Sequence, residues 1–206
     1  MAENRPRAAG ASGAAAEPVA GLLLAAGAGR RFGGPKALAE LDGRPLVLRA
    51  LATLDAAGCR PVRVVVGAAA EQVRALLPEP GQAVFAEGWE SGMGASLKAG
   101  LAALSAAPGP VAALVHLVDL PWVGADVLTR VAAGATAETV ARASYEGVPG
   151  HPVLLGRRWW AEIAESAQGD RGARDWLSTR PDLKLVECGD LGSGRDVDRR
   201  ADLPGR

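Results

Sequence analysis

The chain has 206 residues, 49% of them hydrophobic, which is enough for one domain with a sizeable core. Its 23 basic and 23 acidic side chains balance, and the five tryptophans do not alternate with basic clusters, which argues against a nucleic-acid-binding protein. Cys59 and Cys188 lie far apart and lack metal-ligand spacing. They predict reduced thiols rather than a zinc site or a disulfide.

Residues 1–18 are rich in alanine, glycine and proline, and they predict a disordered extension ahead of a single domain at 19–206. The first long apolar run follows these residues. It is too short to span a bilayer and is followed by Arg30 and Arg31, so it predicts neither a signal peptide nor a membrane anchor. We therefore expect a cytoplasmic protein with no membrane partner.

The next part of the chain alternates between predicted strands and helices, a pattern typical of a mostly parallel, doubly wound α/β sheet with helices on both faces. Apolar or β-branched runs predict strands, and apolar side chains at helical spacing predict helices. The predicted strands are 19–26, 62–66, 82–86 and 111–118, and the predicted helices are 45–57, 71–77, 95–104 and 124–133.

The pattern becomes less regular in the last third of the chain. Residues 139–145 and 151–155 predict two paired strands around the glycines of 147–150, which would form a small β insertion. Helices at 157–166 and 172–179 and a last strand at 183–188 complete the predicted domain.

A glycine-rich loop follows the first strand and contains four glycines, Arg31 and Lys36. Glycine lacks a Cβ, so backbone N–H groups in such a loop can approach a ligand closely. The loop is not a dinucleotide fingerprint, because Phe32 stands where a glycine is required, and Pro35 breaks a Walker A pattern. An ordinary strand-to-helix turn is the alternative, but two cations at this spacing favour a site for a nucleotide triphosphate.

Asp119 follows the most apolar of the predicted strands. A carboxylate there is costly to desolvate unless it has a partner, and it serves either as the N-cap of the following helix or as a Mg²⁺ ligand. Because ligands in open sheets lie outside the carboxyl ends of the strands, we expect Asp119 to approach Lys36.

The loop resembles the signature L-A-A-G-x-G-x-R-F-G-x-x-K of the MobA-like nucleotidyltransferases, and in particular their molybdenum cofactor cytidylyltransferase branch. The resemblance implies a three-layer, Rossmann-like and GT-A-like fold in which the loop wraps the triphosphate. It also implies that Arg31 and Lys36 contact phosphate oxygens. The matching residues are Leu24, Ala25, Ala26, Gly27, Gly29, Arg31, Phe32, Gly33 and Lys36.

Two further segments resemble the metal-binding elements of that family. Asp119-Leu120-Pro121 is similar to its D-M-P or D-I-P triplet, and the resemblance implies that Asp119 holds Mg²⁺. Asp196 and Asp198 match its later D-x-D, but residues 199–201 replace its T-P-E. Which of the two aspartates reaches the metal is left open, and a solvated charge cluster is the alternative for both.

The remaining similarities concern the two substrates. Residues 89–97 resemble the W-x-x-G-M-x-x-S-L element, which implies that Gly92, Gly94 and Ser96 line the nucleotide site. A helix entry with a capping serine is the alternative for this segment. The G-H-P and G-D-x-G-A-R elements imply that the second substrate meets His151, Pro152, Asp170, Arg171 and Arg174. His116, which lies inside a predicted strand, is expected to be structural.

The resemblance implies Mg²⁺-dependent transfer of CMP from CTP to the terminal phosphate of a molybdopterin-type cofactor, for a recipient enzyme of the xanthine dehydrogenase type. CTP is favoured over other NTPs because Ala26 stands where GTP-using members carry glycine. The alternatives are a guanylyl- or sugar-phosphate nucleotidyltransferase of the same fold, and a non-catalytic protein that binds a nucleotide or chaperones the cofactor. The altered 199–201 stretch favours the last of these.

Overall fold

The structure is a computed structural model that describes residues 18–106 and 108–204. The extension predicted at 1–18 lies, apart from Pro18, outside these residues. Seven strands of the described chain form one central sheet in the order β5-β4-β1-β6-β8-β7-β9. In chain order the strands are β1 Val19–Leu24, β2 Glu40–Leu41, β3 Arg44–Pro45, β4 Val62–Val66, β5 Ala83–Phe85, β6 Ala112–Leu117, β7 Val140–Tyr145, β8 Val148–Gly156 and β9 Lys184–Glu187.

The central sheet is mostly parallel. β1 lies inside the sheet and pairs parallel with β4 and β6, whereas β8 runs antiparallel to both β6 and β7. The hairpin predicted after residue 139 therefore forms, and both of its strands are members of the central sheet. β2 and β3 make a separate two-stranded hairpin between the glycine loop and the first helix.

Helices cover both faces of the sheet, which confirms the three-layer α/β class. α1 and α4 pack on one face with Leu23 of β1, and α3, α5 and α6 pack on the other with Leu22 and Leu24. This division follows from the alternation of side chains along a strand. The helices are α1 Leu46–Ala56, α2 Ala70–Leu76, α3 Met93–Ser105, α4 Ala125–Ala132, α5 Trp160–Ser166 and α6 Arg174–Ser178. None of the described helices has the length and apolar character needed to cross a bilayer.

The turn between β7 and β8 is held by one carboxylate. Glu187 of β9 accepts hydrogen bonds from the backbone N–H of Gly189 at 2.9 Å, the hydroxyl of Ser144 at 2.8 Å, and the N–H groups of Glu146 at 3.0 Å and Gly147 at 3.2 Å. These donors, Gly189 first, lower the pKa of Glu187 to about 2. The carboxylate thereby ties the edge of the sheet to the hairpin that carries His151.

Candidate functional site

The glycine loop leaves β1 and ends at a short 3₁₀ helix that begins with Lys36. Gly29 has a φ of 60°, and a Cβ there would collide with the carbonyl oxygen of Gly34, so only glycine fits. The carbonyl oxygen of Gly29 accepts the N–H groups of Gly33 at 2.9 Å and Gly34 at 3.1 Å. The N–H groups of Gly27 and Ala28 have no hydrogen-bond partner within the described chain, which leaves them available to an anion.

The loop forms one wall of a cavity of about 430 Å³. Three residues predicted for this site do not line it: Ala25 is part of the core, Gly94 lies in the first turn of α3 against Gln168, and Asp196 is exposed outside the cavity. The helix begins at Met93, two residues before the predicted start, and Gly92 stands at its N-cap in place of a capping serine. The predicted residues that line the cavity are Leu24, Ala26, Gly27, Gly29, Arg31, Lys36, Gly92, Ser96, Asp119 and Asp198.

Three distant segments of the chain meet at Lys36. Its Nζ lies 2.9 Å from Oδ2 of Asp119 and 3.6 Å from Oδ1 of Asp198. The other oxygen of Asp198 accepts a hydrogen bond from Nη1 of Arg31 at 2.8 Å. Asp119 is not the N-cap of the helix that follows it, because α4 begins at Ala125 with Gly124 at that position. Two cations and two carboxylates thus share one wall of the cavity.

The C-terminal segment packs directly on the glycine loop. The carboxylate of Asp202 accepts the backbone N–H groups of Asp198 at 2.9 Å and Arg199 at 2.6 Å, which closes a tight turn. The guanidinium of Arg200 lies over the ring of Phe32, 5.1 Å from its centroid. Arg200, which departs from the family pattern, therefore helps to hold this segment against the loop.

The two carboxylates suit a divalent cation. Asp119 and Asp198 approach the same ammonium group from two distant segments and line the same cavity, where a cation can replace that contact. Within residues 18–106 and 108–204 there is no group of three or more His, Cys, Asp or Glu residues placed to hold a metal. The two carboxylates of Asp119 and Asp198 match the preference of Mg²⁺, which takes one or two carboxylates and completes its shell with phosphate oxygens and water.

A second cavity of about 80 Å³ adjoins the first and shares Leu24, Met93 and Asp170 with it. A Cβ at Gly92 would lie only 2.5 Å from Oδ1 of Asp170, so the 169–172 loop rests against the loop before α3. The predicted residues His151, Asp170, Arg171 and Arg174 line this cavity, whereas Pro152 is buried away from it.

Arg142 of β7 also lines the second cavity, and the sequence interpretation did not include it. Its Nε and Nη2 donate to the carbonyl oxygen of Gly150 at 3.2 and 3.0 Å. Burial, followed by the charge of Arg174, lowers the pKa of its guanidinium. The sequence signal for Arg142 is an arginine inside a predicted strand of small and apolar residues, because arginine is rarely buried without a partner or a function.

His151 follows Gly150, and its backbone is fixed by Tyr145, whose hydroxyl donates a hydrogen bond of 2.8 Å to the carbonyl oxygen of His151. Burial, followed by the charges of Arg142, His116 and Arg174, lowers the pKa of the imidazole to about 3. The ring is therefore neutral at pH 7, where it can exchange a hydrogen bond with a polar group but cannot act as a cation.

Comparison with known proteins gives a family. The family described as the MobA-like NTP transferase domain matches residues 21–185. The nicotine blue oxidoreductase of Paenarthrobacter nicotinovorans is 39% identical over 87% of this chain and 92% of its own length. The molybdenum cofactor guanylyltransferase of Rhodobacter capsulatus is 35% identical over 58% of this chain and 60% of its own length.

Solved structures show the same fold. Rv0371c from Mycobacterium tuberculosis H37Rv superimposes with a TM-score of 0.76 at 27% identity, over 91% of this chain and 96% of that one. A structure of Rv0371c in complex with manganese superimposes with a TM-score of 0.68 at 23% identity, over 82% and 88% of the two chains.

Proposed function

The chain belongs to the MobA-like NTP transferase family, and from this premise we propose that it transfers CMP from CTP to the terminal phosphate of a molybdopterin-type cofactor, with release of pyrophosphate. The observation that carries the proposal is the contact of Lys36 with both Asp119 and Asp198 beside the glycine loop. Cations suited to a triphosphate and carboxylates suited to a divalent metal ion lie in one cavity of nucleotide size.

The donor side of the reaction is electrostatic. An oxygen of the acceptor phosphate forms a bond to the α-phosphorus of the NTP, and the bond from that phosphorus to the pyrophosphate oxygen breaks. Lys36, Arg31 and the free N–H groups of Gly27 and Ala28 would stabilise the charge that moves onto pyrophosphate. The side chain of Arg31 is 78% exposed, so its pair with Asp198 is weak and can be exchanged for a phosphate.

Asp119 and Asp198 would hold Mg²⁺, which when bound neutralises charge on the phosphate oxygens. Lys36 contacts both carboxylates, and its charge offsets the repulsion between them. The terminal phosphate of the acceptor is already ionised at neutral pH, so the reaction does not depend on a general base from the protein.

The second cavity would receive the acceptor. Arg142 and Arg174 both line this cavity, and their positive charges repel each other. Neither forms an ion pair with a carboxylate of the described chain. An anionic group between them would relieve that repulsion. The neutral imidazole of His151 would hydrogen-bond to a polar ring such as a pterin.

The choice of CTP depends on Ala26, which lines the nucleotide cavity at the position where the resemblance implies a glycine in GTP-using members. A pocket narrowed by one methyl group favours the smaller pyrimidine over a purine. The product would then be the cytosine dinucleotide form of the cofactor, destined for an enzyme of the xanthine dehydrogenase type.

The test is an incubation of the protein with Mg²⁺ and each of the four NTPs, with and without molybdenum cofactor, in which pyrophosphate is measured. Release that requires both CTP and the cofactor is the expected result. Release with GTP indicates a guanylyltransferase, and release with a sugar phosphate in place of the cofactor indicates a sugar-phosphate transferase. Nucleotide binding without turnover indicates a chaperone.

A second candidate function follows from the relative named nicotine blue oxidoreductase, which is 39% identical over most of both chains. On this alternative the cavities would hold a coloured heterocycle and a donor of two electrons and a proton, such as a reduced nicotinamide. The glycine loop lacks the dinucleotide fingerprint and would bind phosphate groups of that donor through Arg31 and Lys36. Loss of nicotine blue absorbance with NADH or NADPH, in a preparation that releases no pyrophosphate from any NTP, would replace the first proposal with this one.

A further inference from the structure

A third cavity, of about 300 Å³, lies on the face of the sheet that α1 and α4 cover. We call it the α1 groove. It shares only Val118 with the nucleotide cavity and no residue with the second cavity. The α1 groove is lined by Arg44, by residues of α1 that include Arg49, Ala52 and Thr53, by His116 of β6, and by the segment before α4 that includes Val123.

His116 belongs to the lining of this groove and is only 1% exposed. Its Nδ1 is buried and has no hydrogen-bond partner in the described chain. Native proteins rarely leave a buried polar atom without a partner, so this atom calls for an explanation. Burial lowers the pKa of the imidazole to about 4, and the neutral ring can donate one hydrogen bond and accept another.

The mouth of the groove is positively charged. Nη1 of Arg49 lies 3.6 Å from Oδ2 of Asp42 and donates to the carbonyl oxygen of Leu41 at 3.4 Å. Both contacts are long and the carboxylate of Asp42 is 76% exposed, so a bound anion can replace them. Arg44 is exposed and forms no ion pair within the residues the structure describes. The hydroxyl of Thr53 donates a hydrogen bond of 3.1 Å to the carbonyl oxygen of Arg49, so the hydroxyl oxygen is still able to accept one.

Two helices begin beside the groove. α1 starts at Leu46 and α4 at Ala125, both of which line it, and neither helix has a side-chain cap at Pro45 or Gly124. The N–H of Leu46 donates to the carbonyl oxygen of Ala39 at 2.8 Å. The other N–H groups in the first turns have no partner within their helix and, with the partial positive charge of a helix start, favour a bound anion. Two arginines, two uncapped helix starts and an unpartnered imidazole therefore surround one space.

We propose that the α1 groove is a binding site for a small organic anion, a phosphate or carboxylate with a short apolar body. The anionic group lies between Arg44 and Arg49 at the start of α1. The body lies along Ala50, Ala52 and Val123, with a polar atom within reach of His116. This site is separate from the two cavities used for nucleotidyl transfer and does not depend on that activity.

The test is an NMR titration of the full-length ¹⁵N-labelled protein with phenyl phosphate, which combines an anion with an apolar ring. The chain has two histidines, so the imidazole signal of His116 is assigned with a His151→Asn variant. Saturable shifts of that signal and of the Val123 and Ala125 amides are expected. The Gly27 and Gly29 amides report separately on binding in the nucleotide cavity.

Two variants probe the groove. Arg44→Gln combined with Arg49→Gln should weaken binding at the His116 signal by about tenfold or more, the range for lost hydrogen bonds to a charged group. Ala52→Leu should weaken it as well, because it fills the groove without changing a charge. The matched control is Arg74→Gln, which alters an arginine of α2 that pairs with Glu71 and should leave the affinity unchanged.

The proposal fails if phenyl phosphate shifts only the Gly27 and Gly29 amides, or if the double variant binds it as tightly as the Arg74→Gln control. Benzyl alcohol that binds as tightly as phenyl phosphate would exclude an anion site. Inorganic phosphate that binds as tightly would exclude a role for the apolar body.

Discussion

The backbone N–H of Val197 donates a hydrogen bond of 2.9 Å to the carbonyl oxygen of Asp119. This bond joins the C-terminal segment to the end of β6, and Val197 itself is fully buried. On one side of it, Asp198 lines the nucleotide cavity and lies 3.6 Å from Nζ of Lys36. On the other side, Asp196 is exposed and does not line that cavity. The sequence left these two aspartates equivalent, and the geometry favours Asp198 as the second carboxylate.

Asp198→Asn should therefore weaken divalent metal binding, whereas Asp196→Asn should not. The substitution preserves shape and removes one of two negative charges near the ion. Binding of Mn²⁺ in the presence of CTP, measured by electron paramagnetic resonance, compares the two variants directly. Equal loss of affinity in both would mean that Asp196 also reaches the ion, contrary to the assignment.

Lys36→Ala should reduce the rate of pyrophosphate release by on the order of 10²-fold, because the charge on the leaving pyrophosphate loses a preorganised cation. The fold should persist, since the core does not depend on this side chain. Steady-state release from CTP is the measurement, with circular dichroism as a check on folding. Lys98→Ala removes an exposed lysine of α3 and is the matched control. Near-normal turnover of the Lys36→Ala protein would remove this residue from the proposed chemistry.

Arg142→Gln should raise the KM for the molybdopterin-type acceptor by about tenfold or more and leave the KM for CTP unchanged. The guanidinium lines the second cavity only and holds the carbonyl oxygen of Gly150, so its loss removes a charge and loosens the His151 turn. Arg63→Gln changes a partly buried arginine of β4 that lines none of the three cavities and serves as the control. A parallel rise in the KM for CTP would mean that Arg142 supports the folded structure as a whole and has no specific role in binding the acceptor.

The free energy of unfolding should fall as the pH is lowered from 6.5 to 4.5. Burial lowers the pKa of His116 to about 4 and, with nearby cations, that of His151 to about 3, from an ordinary value of 6.5. Below pH 6.5 the unfolded chain takes up protons that the folded chain does not, so stability is complete above that pH and decreases below it. The slope is at most about 1.4 kcal/mol per pH unit for each histidine.

Urea unfolding at pH 7, 6 and 5 measures this slope, and a His116→Gln variant should show a shallower one. An imidazole signal that titrates near pH 6.5 in the folded protein would contradict the expectation. Carboxylates contribute little to the slope between pH 7 and 5, because the stability that comes from the lowered pKa of Glu187, about 2, is lost only as the pH falls through the ordinary carboxyl value of 4.5 toward 2.

Much of the fold was predictable where local chemistry leaves one choice. The predicted strand at 62–66 coincides with β4, Val62–Val66, because a run rich in valine lies between Pro61 and Gly67 and both of its faces become buried. The predicted helix at 124–133 contains α4, Ala125–Ala132, whose buried residues recur at helical spacing.

Partners across the sheet were less predictable. The strands around residues 140 and 150 were predicted to pair with each other, and they do, but the insertion of β8 beside β6 was not foreseen. A strand selects its neighbour by how well both of its faces are then covered, and that depends on helices elsewhere in the chain. The same limit applies to Arg142, since a strand pattern does not tell which face opens onto a cavity.

The order and chemistry of the motifs were determined by the sequence itself: a glycine loop with two cations, an aspartate after an apolar strand and a pair of aspartates near the end. The strand pattern also predicted that Asp119 approaches Lys36, and the tertiary structure decided that Asp198, and not Asp196, joins them. Lys36 contacts Asp119 because parallel strands bring their carboxyl ends to one edge of the sheet, and it approaches Asp198 because a single backbone hydrogen bond anchors the C-terminal segment there. Distances between such segments depend on packing, which local sequence patterns do not encode.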